Sequence, residues 1–236
     1  MSKELSKNDF IEFEYTGRIK NGGIFDTNIK EEAKKINLEI ETKPLIICLG
    51  QNMILPAIDE FLIGKESEKE YTLEISPEKA FGSRDRNLIK TMPLSVFRNQ
   101  NSAPQPGMVF IFDNMFGKIT AVSGGRVIVD FNNPLAGKDI IYSLNVKRKI
   151  KDEKEKVSSL MIYFFKRVFP FNIEAKKLIV SSEKKFEPLF IMFKQQFKDV
   201  LGLDIEVKIE EGKEEEKKEE KAEKEHEHNH KHSEEK

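Results

Sequence analysis

The sequence predicts an α+β fold: a mostly antiparallel sheet wrapped on one short helix, opened at a loop by an inserted small β domain and followed by a C-terminal α/β unit. Three observations carry this. Runs of alternating apolar and polar residues are separated by Asn, Gly and Pro punctuation. The alternating run at 71–76 stops at Pro77, and its partner pattern arrives only at 139–146, with a hairpin-rich segment between. Beyond residue 152, two apolar stripes at helical spacing alternate with two strand patterns.

Residues 9–19 alternate, with Ile11, Phe13 and Tyr15 on one face and Glu12 and Glu14 on the other. Asn21-Gly22-Gly23 is a turn into a short strand at 24–27. Residues 28–37 read as a polar surface helix, and 45–49 as a buried strand. Asn52 is expected to cap a helix running to Leu62, with Pro56 in its first turn, Gly64 closing it, and Ile54, Leu55, Ile58 and Leu62 as its apolar face. The insert opens with 84–91 and a helical turn near 94–97, then gives strands at 108–113, 116–122 and 126–131, with Ser123-Gly124-Gly125 as a hairpin turn.

The charged run 151–156 reads as a boundary. Val157, Leu160, Met161, Phe164, Phe165 and Val168 then form one helical stripe, and Phe186, Phe190, Phe193, Phe197, Val200 and Leu201 another, stopped by Gly202. Strands at 176–181 and 203–209 complete this unit. A two-stranded sheet is marginal alone, so the unit is expected to form a homodimer or to dock on another domain; packing on its own chain is an equal alternative. The division is 1–83 with 132–152, an insert at 84–131, a C-terminal unit at 153–210 and a charged tail at 211–236.

Composition closes off several functions. The chain has 236 residues and a net charge of -1, which offers no basic field for nucleic acid. No apolar run approaches the roughly 18 residues of a membrane span, and the N-terminus carries no secretion signal. The single cysteine, Cys48 in an apolar run, reads as a small core residue rather than a reactive thiol and fits a cytoplasmic protein. All 4 histidines stand in the tail, at His226, His228, His230 and His232. The body therefore has no histidine general base, no Ser-His or Cys-His pair and no HExxH zinc site; it also has no phosphate-binding glycine loop. The tail imidazoles are a site for nickel, zinc or copper, or else part of a solvated low-complexity segment.

Several spaced motifs agree on one family. Glu14-Tyr15-Thr16-Gly17, then Asn21 to Asp26, then Leu49-Gly50 ahead of an apolar helix, then the run SPEKAFG at 76–82, together resemble an FKBP-type peptidyl-prolyl cis-trans isomerase. Residues 80–97 and 134–146 resemble the SlyD branch, whose flap is interrupted by an insert domain with chaperone activity. The extra C-terminal domain is similar to that of long-type archaeal FKBPs. The resemblance implies a folding enzyme that needs no cofactor and acts on Xaa-Pro bonds of unfolded or partly folded proteins. It implies a pocket in which Tyr15 offers a hydroxyl, Phe25 and Tyr142 are aromatic walls and Asp26 faces the twisted carbonyl. Ile54 would present backbone groups, Leu55 a backbone N–H and Ile58 the floor in place of the family's tryptophan; Phe81 stands for its corner tyrosine. It also implies a client surface on the insert, drawn from Met92, Leu94, Phe97, Phe110, Phe112, Met115 and Phe116. Taken singly, each pocket aromatic reads as core and Asp26 as a turn residue; only their joint spacing indicates a pocket. Two other functions fit the same residues: a holdase with a weak isomerase pocket, and a metal-handling protein centred on the tail.

Overall fold

A computed structural model describes residues 3–38, 43–100 and 103–209, and the tail histidines lie outside the described residues. The chain divides into two compact units. The first comprises Met1–Ser6, Glu12–Leu45 and Leu49–Arg148; the second takes Lys7–Ile11, Ile46–Cys48 and the chain from Lys149 onward.

A five-stranded sheet is built from β1 (Phe10–Ile19), β2 (Ile24–Thr27), β3 (Leu45–Cys48), β4 (Lys69–Ile75) and β9 (Ile140–Lys149). Its order is β2-β1-β9-β4, with β3 also pairing β1. The strand that stops at Pro77 does find its partner beyond the insert: β4 and β9 pair antiparallel from Lys69 opposite Val146 to Ile75 opposite Ile140. Phe13, Ile75, Ile140, Leu144 and Val146 are buried, as the alternation requires. A polar helix, α1 (Lys30–Lys35), follows β2.

The central helix, α2 (Pro56–Leu62), departs from the sequence expectation at its start. Asn52 is not its cap. It sits in the preceding turn at φ +53°, and the helix begins at Pro56 with Leu55 before it. The turn is organised from inside the helix: the buried Asp59 carboxylate accepts from the Gly50 N–H at 2.8 Å and the Asn52 N–H at 3.1 Å. Those bonds satisfy two amides of the turn itself and hold it against the helix.

The insert is a separate four-stranded antiparallel sheet, β5 (Ile89–Pro93), β6 (Val109–Phe112), β7 (Met115–Ser123) and β8 (Arg126–Asp130), in the order β5-β8-β7-β6. The sequence gives three of these. Strand β5, which ends in proline, goes unread because Pro93 and the mixed run before it weaken the alternation. One face packs on a 3₁₀ segment at Leu94–Gln100, whose Phe97 ring meets Phe110 at 5.4 Å and Phe112 at 5.5 Å. Phe97, expected to face clients, is instead 2% exposed and forms the centre of this core with Ile119, Val127 and Val129. So small a sheet needs a large ring at its middle, and Phe97 supplies it. Met92, Phe110 and Phe112 pack around it, half-buried.

The two connectors of the insert meet. Gly137 N–H donates to the Gly82 carbonyl at 2.8 Å, Arg84 pairs with Asp130, and Asn132 clasps Asp85, accepting its N–H at 2.8 Å and donating to its carbonyl at 2.9 Å.

The second unit corrects the expected two strands to three. Strand β10 (Phe171–Glu174) pairs antiparallel with β11 (Lys177–Ser182), and β12 (Asp204–Ile209) pairs parallel with β11. The hairpin escaped notice because its turn residues, Ala175 and Lys176, take φ of +47° and +64° without the usual Asn or Gly. The charged run 151–156 is largely the first turn of α3 (Glu153–Phe165), whose N–H at Glu155 is accepted by Asp152 at 2.7 Å. Val168 falls beyond that helix and is exposed. Helix α4 (Glu187–Leu201) ends on left-handed Gly202 as expected. Phe164 and Phe165 of α3 stack among Phe193 and Phe197 of α4, at 4.5 Å for Phe164 and Phe193. Among the described residues no helix is long and apolar enough to cross a membrane.

Candidate active site

Strand β1 brings Phe13 and Tyr15 to one face, stacked at 5.6 Å. Strand β2 is laid beside it with Gly17 opposite Asp26, and the register shifts at Gly17 and Arg18. Strand β9 contributes Tyr142, opposite Leu73 of β4. The corner after the 3₁₀ turn Pro77–Lys79 brings Phe81. These rings make one connected set: Phe81 to Phe25 at 5.8 Å, Phe25 to Tyr142 at 5.8 Å, both edge-on, and Tyr142 to Tyr15 at 6.1 Å. Tyr15, Phe25, Asp26, Phe81 and Tyr142 are thus brought together. Ile54 and Leu55 lie in the turn before α2, and Ile58 is buried in its first turn. Among the described residues the Leu55 N–H donates to no acceptor.

The polar chemistry is concentrated at one pair. Tyr15 Oη donates to Asp26 Oδ1 at 3.4 Å. Burial raises the Asp26 carboxyl above the ordinary carboxylate range, against the opposing pull of the Tyr15 hydroxyl and the Thr27 backbone. Burial, then the Asp26 charge, pushes Tyr15 up to about 12, and the same two causes push Tyr142 up further. Both hydroxyls therefore stay protonated and available as donors at neutral pH.

Three supports were invisible in the sequence. Gly17 is the first: a Cβ there would lie 2.8 Å from Phe25 Cζ and 2.8 Å from Tyr142 Cε1, so two rings close over bare backbone. Asn28 is the second. Its Oδ1 accepts from the Tyr15 N–H at 2.7 Å, its Nδ2 donates to the Phe13 carbonyl at 3.0 Å, and its own N–H donates to the Tyr15 carbonyl at 3.2 Å. One amide side chain thereby extends the β2 pairing past its end and fixes the Tyr15 backbone. Thr27, fully buried, is the third; its hydroxyl donates to the Tyr15 carbonyl at 2.9 Å, accepts from the Ile29 N–H at 3.1 Å and lies 3.0 Å from the Thr16 hydroxyl.

On the insert, Leu94, Met115 and Phe116 are exposed, and the register adds Val109, Ile111 and Ile128, which sequence reading missed. A separate open depression of about 470 Å³ lies between α2 and β4, lined by Ala57, Phe61, Leu73 and Ile75 with charged neighbours; it holds none of the predicted site residues. Among the described residues no cluster of three or more His, Cys, Asp or Glu is placed to hold a metal ion.

Known proteins resemble this sequence. The FKBP-type peptidyl-prolyl cis-trans isomerase family matches residues 2–98, and the family described as FKBP26, IF domain matches 90–135. The short-type peptidyl-prolyl cis-trans isomerase of Methanocaldococcus jannaschii is 32% identical over 146 residues, which is 61% of this chain and 92% of that protein. The chain belongs to the FKBP-type peptidyl-prolyl cis-trans isomerases. The SlyD isomerase of Vibrio cholerae is 27% identical over 147 residues, 61% of this chain and 67% of that one. A probable 16 kDa FKBP-type isomerase of Pseudomonas fluorescens is 25% identical over 149 residues.

Two outcomes follow from the geometry of this FKBP-type site. In Gly17→Ala the new methyl group must displace Phe25 or Tyr142, so isomerase kcat/KM falls about tenfold while circular dichroism stays unchanged. Unaltered turnover would show that the ring pair is not part of the working pocket. Because the folded-state Asp26 value lies above the unfolded one, the protonated form favours folding; that contribution is full below the unfolded pKa and fades as pH rises through the folded pKa. Tyr15→Phe removes a bond that favours the charged form, so Asp26 titrates at still higher pH by carboxyl NMR; a downward move refutes the assigned hydrogen bond.

Proposed function

We propose that the aromatic pocket turns over Xaa-Pro bonds in unfolded or partly folded polypeptides and that the insert holds those clients beside it. The observation that carries the reading is the connected series of rings from Phe81 through Phe25 and Tyr142 to Tyr15, whose hydroxyl donates to Asp26.

The reaction makes and breaks no covalent bond, which agrees with a body lacking histidine. The obstacle is loss of amide resonance, a barrier of ~18–20 kcal/mol. A twisted amide has less charge separation than a planar one, so walls of Phe25, Tyr142 and Phe81 that exclude water disfavour the planar form more. Each ~1.4 kcal/mol of that preference is a factor of ten in rate. In this mechanism Ile58 is the floor, the Leu55 N–H and the Tyr15 hydroxyl receive carbonyl oxygens, and Asp26 faces the twisting carbonyl. The exposed Met115 and Phe116 with Val109 and Ile111 supply the client surface, raising the local concentration of proline segments at the pocket. The four tail imidazoles are a separate metal site in this reading, with no part in the isomerisation.

Turnover of an Xaa-Pro peptide and proline-limited refolding of a protein test both halves together. With 84–130 replaced by a short loop, peptide turnover survives and protein refolding slows; with Asp26→Ala and Tyr142→Ala together, both fall by about tenfold or more. A pocket variant as active as the parent would leave only a holdase. For the second unit, the proposal of a dimer rests on Ile191 and Met192, which α4 turns to solvent. Light scattering at micromolar concentration is expected to give twice the chain mass, and a monomeric mass counts against the proposal.

A further inference from the structure

The insert's sheet covers one face with Phe97 and leaves the other to solvent, and the open face carries an unbalanced charge. Register defines its members. Ile111 stands opposite Phe116 and Val109 opposite Lys118 across β6 and β7; Ile128 stands opposite Thr91 and Arg126 opposite Pro93 across β8 and β5. Phe116, Ile111 and Val109 are 68%, 59% and 58% exposed, an apolar strip large for a free surface. Lys118 and Arg126 are exposed on the same face and form no ion pair among the described residues. The carboxylate they share it with, Asp130, is already engaged: Arg84 pairs with it and Asn132 donates to it twice, at 2.7 and 3.0 Å. Asp113 lies off the strands, in the turn between β6 and β7. Across 84–131 six cations (Arg84, Arg86, Lys90, Arg98, Lys118, Arg126) stand against three carboxylates (Asp85, Asp113, Asp130), in a chain whose net charge is -1.

We propose that the open face of the insert selects acidic apolar segments, stretches of unfolded chain in which large apolar side chains are interspersed with Glu or Asp, and that Lys118 and Arg126 set this preference. The inference rests on reading the insert as the client-holding part of the protein. Apolar burial on Phe116, Ile111 and Val109 supplies attraction for any unfolded chain and discriminates little. Discrimination comes from the two unpaired cations, which draw carboxylates in and repel lysine-rich segments. An anionic lipid surface shares the charge, but membrane attachment by charge takes a cluster of basic residues at about 1 kcal/mol each, and two do not suffice.

The test uses the full chain and three unstructured fluorescent peptides that share one set of Leu, Phe and Val residues, spaced by Glu, Gln or Lys. At low ionic strength the Glu peptide is expected to bind about tenfold more tightly than the Lys peptide, and the gap is expected to close in molar salt. In the double variant Lys118→Glu with Arg126→Glu the order reverses, while turnover of a short Xaa-Pro peptide stays at the parent level. Phe116→Ser weakens all three peptides alike. If the peptides bind equally to the parent while Phe116→Ser still weakens them, the charge preference is overturned and the client surface stands. If Phe116→Ser changes nothing, the client surface itself is overturned. Sedimentation with phosphatidylglycerol vesicles under conditions where no peptide binds would overturn the proposal in favour of a membrane.

Discussion

Seven cross-strand pairs between β4 and β9 hold the first unit in register, from Lys69 opposite Val146 to Ile75 opposite Ile140. The chain between those strands runs through a complete second sheet before the ladder can close. Non-local pairing of this kind carries a loop-closure cost that grows slowly with length, so the long excursion is tolerated. Its register is not free to slip, because a shift by one residue would turn Leu144 and Val146 outward and move Tyr142 off the face it shares with Phe25. The position of one pocket wall thus depends on a pairing whose two halves lie on opposite sides of the insert.

Within the pocket, burial has two consequences. It makes ionisation of Asp26 unfavourable and keeps the Tyr15 and Tyr142 hydroxyls protonated. It also requires that every polar group brought inside be matched, and Thr16, Thr27 and Asn28 do this along the backbone of β1. Apolar walls with matched polar groups behind them suit a reaction in which the substrate changes shape and charge separation while its bonds persist.

Much of the fold was legible because it follows from local period. Ile11, Phe13 and Tyr15 alternate, Tyr71, Leu73 and Ile75 alternate, and Phe190 and Phe197 lie one heptad apart on the buried side of α4. What stayed hidden depends on a partner or on backbone conformation. The hairpin of β10 turns through Ala175 and Lys176, residue types that carry no turn signal. Asp59 looks like any helix carboxylate until its bonds to Gly50 and Asn52 are seen. Gly17 reads as a strand glycine, and only the rings that close over it give it meaning. For the candidate site, spacing within the resemblance named the rings that meet, while periodicity alone would have left each as core. Phe97 shows the reverse hazard, since composition does not say which aromatic of a small domain will be its centre and which will face water.

The neck at Gly82, Arg84, Asn132 and Gly137 ties the outgoing and returning chain together before the insert's sheet begins. To the enzyme body, the insert is therefore a cassette seated on a socket. Any small domain whose two ends lie about one strand spacing apart, ~4.8 Å, would graft there without straining the ladder beneath. Client preference and catalytic chemistry would then evolve on separate clocks: one by exchange of the cassette, the other by slow substitution in the pocket.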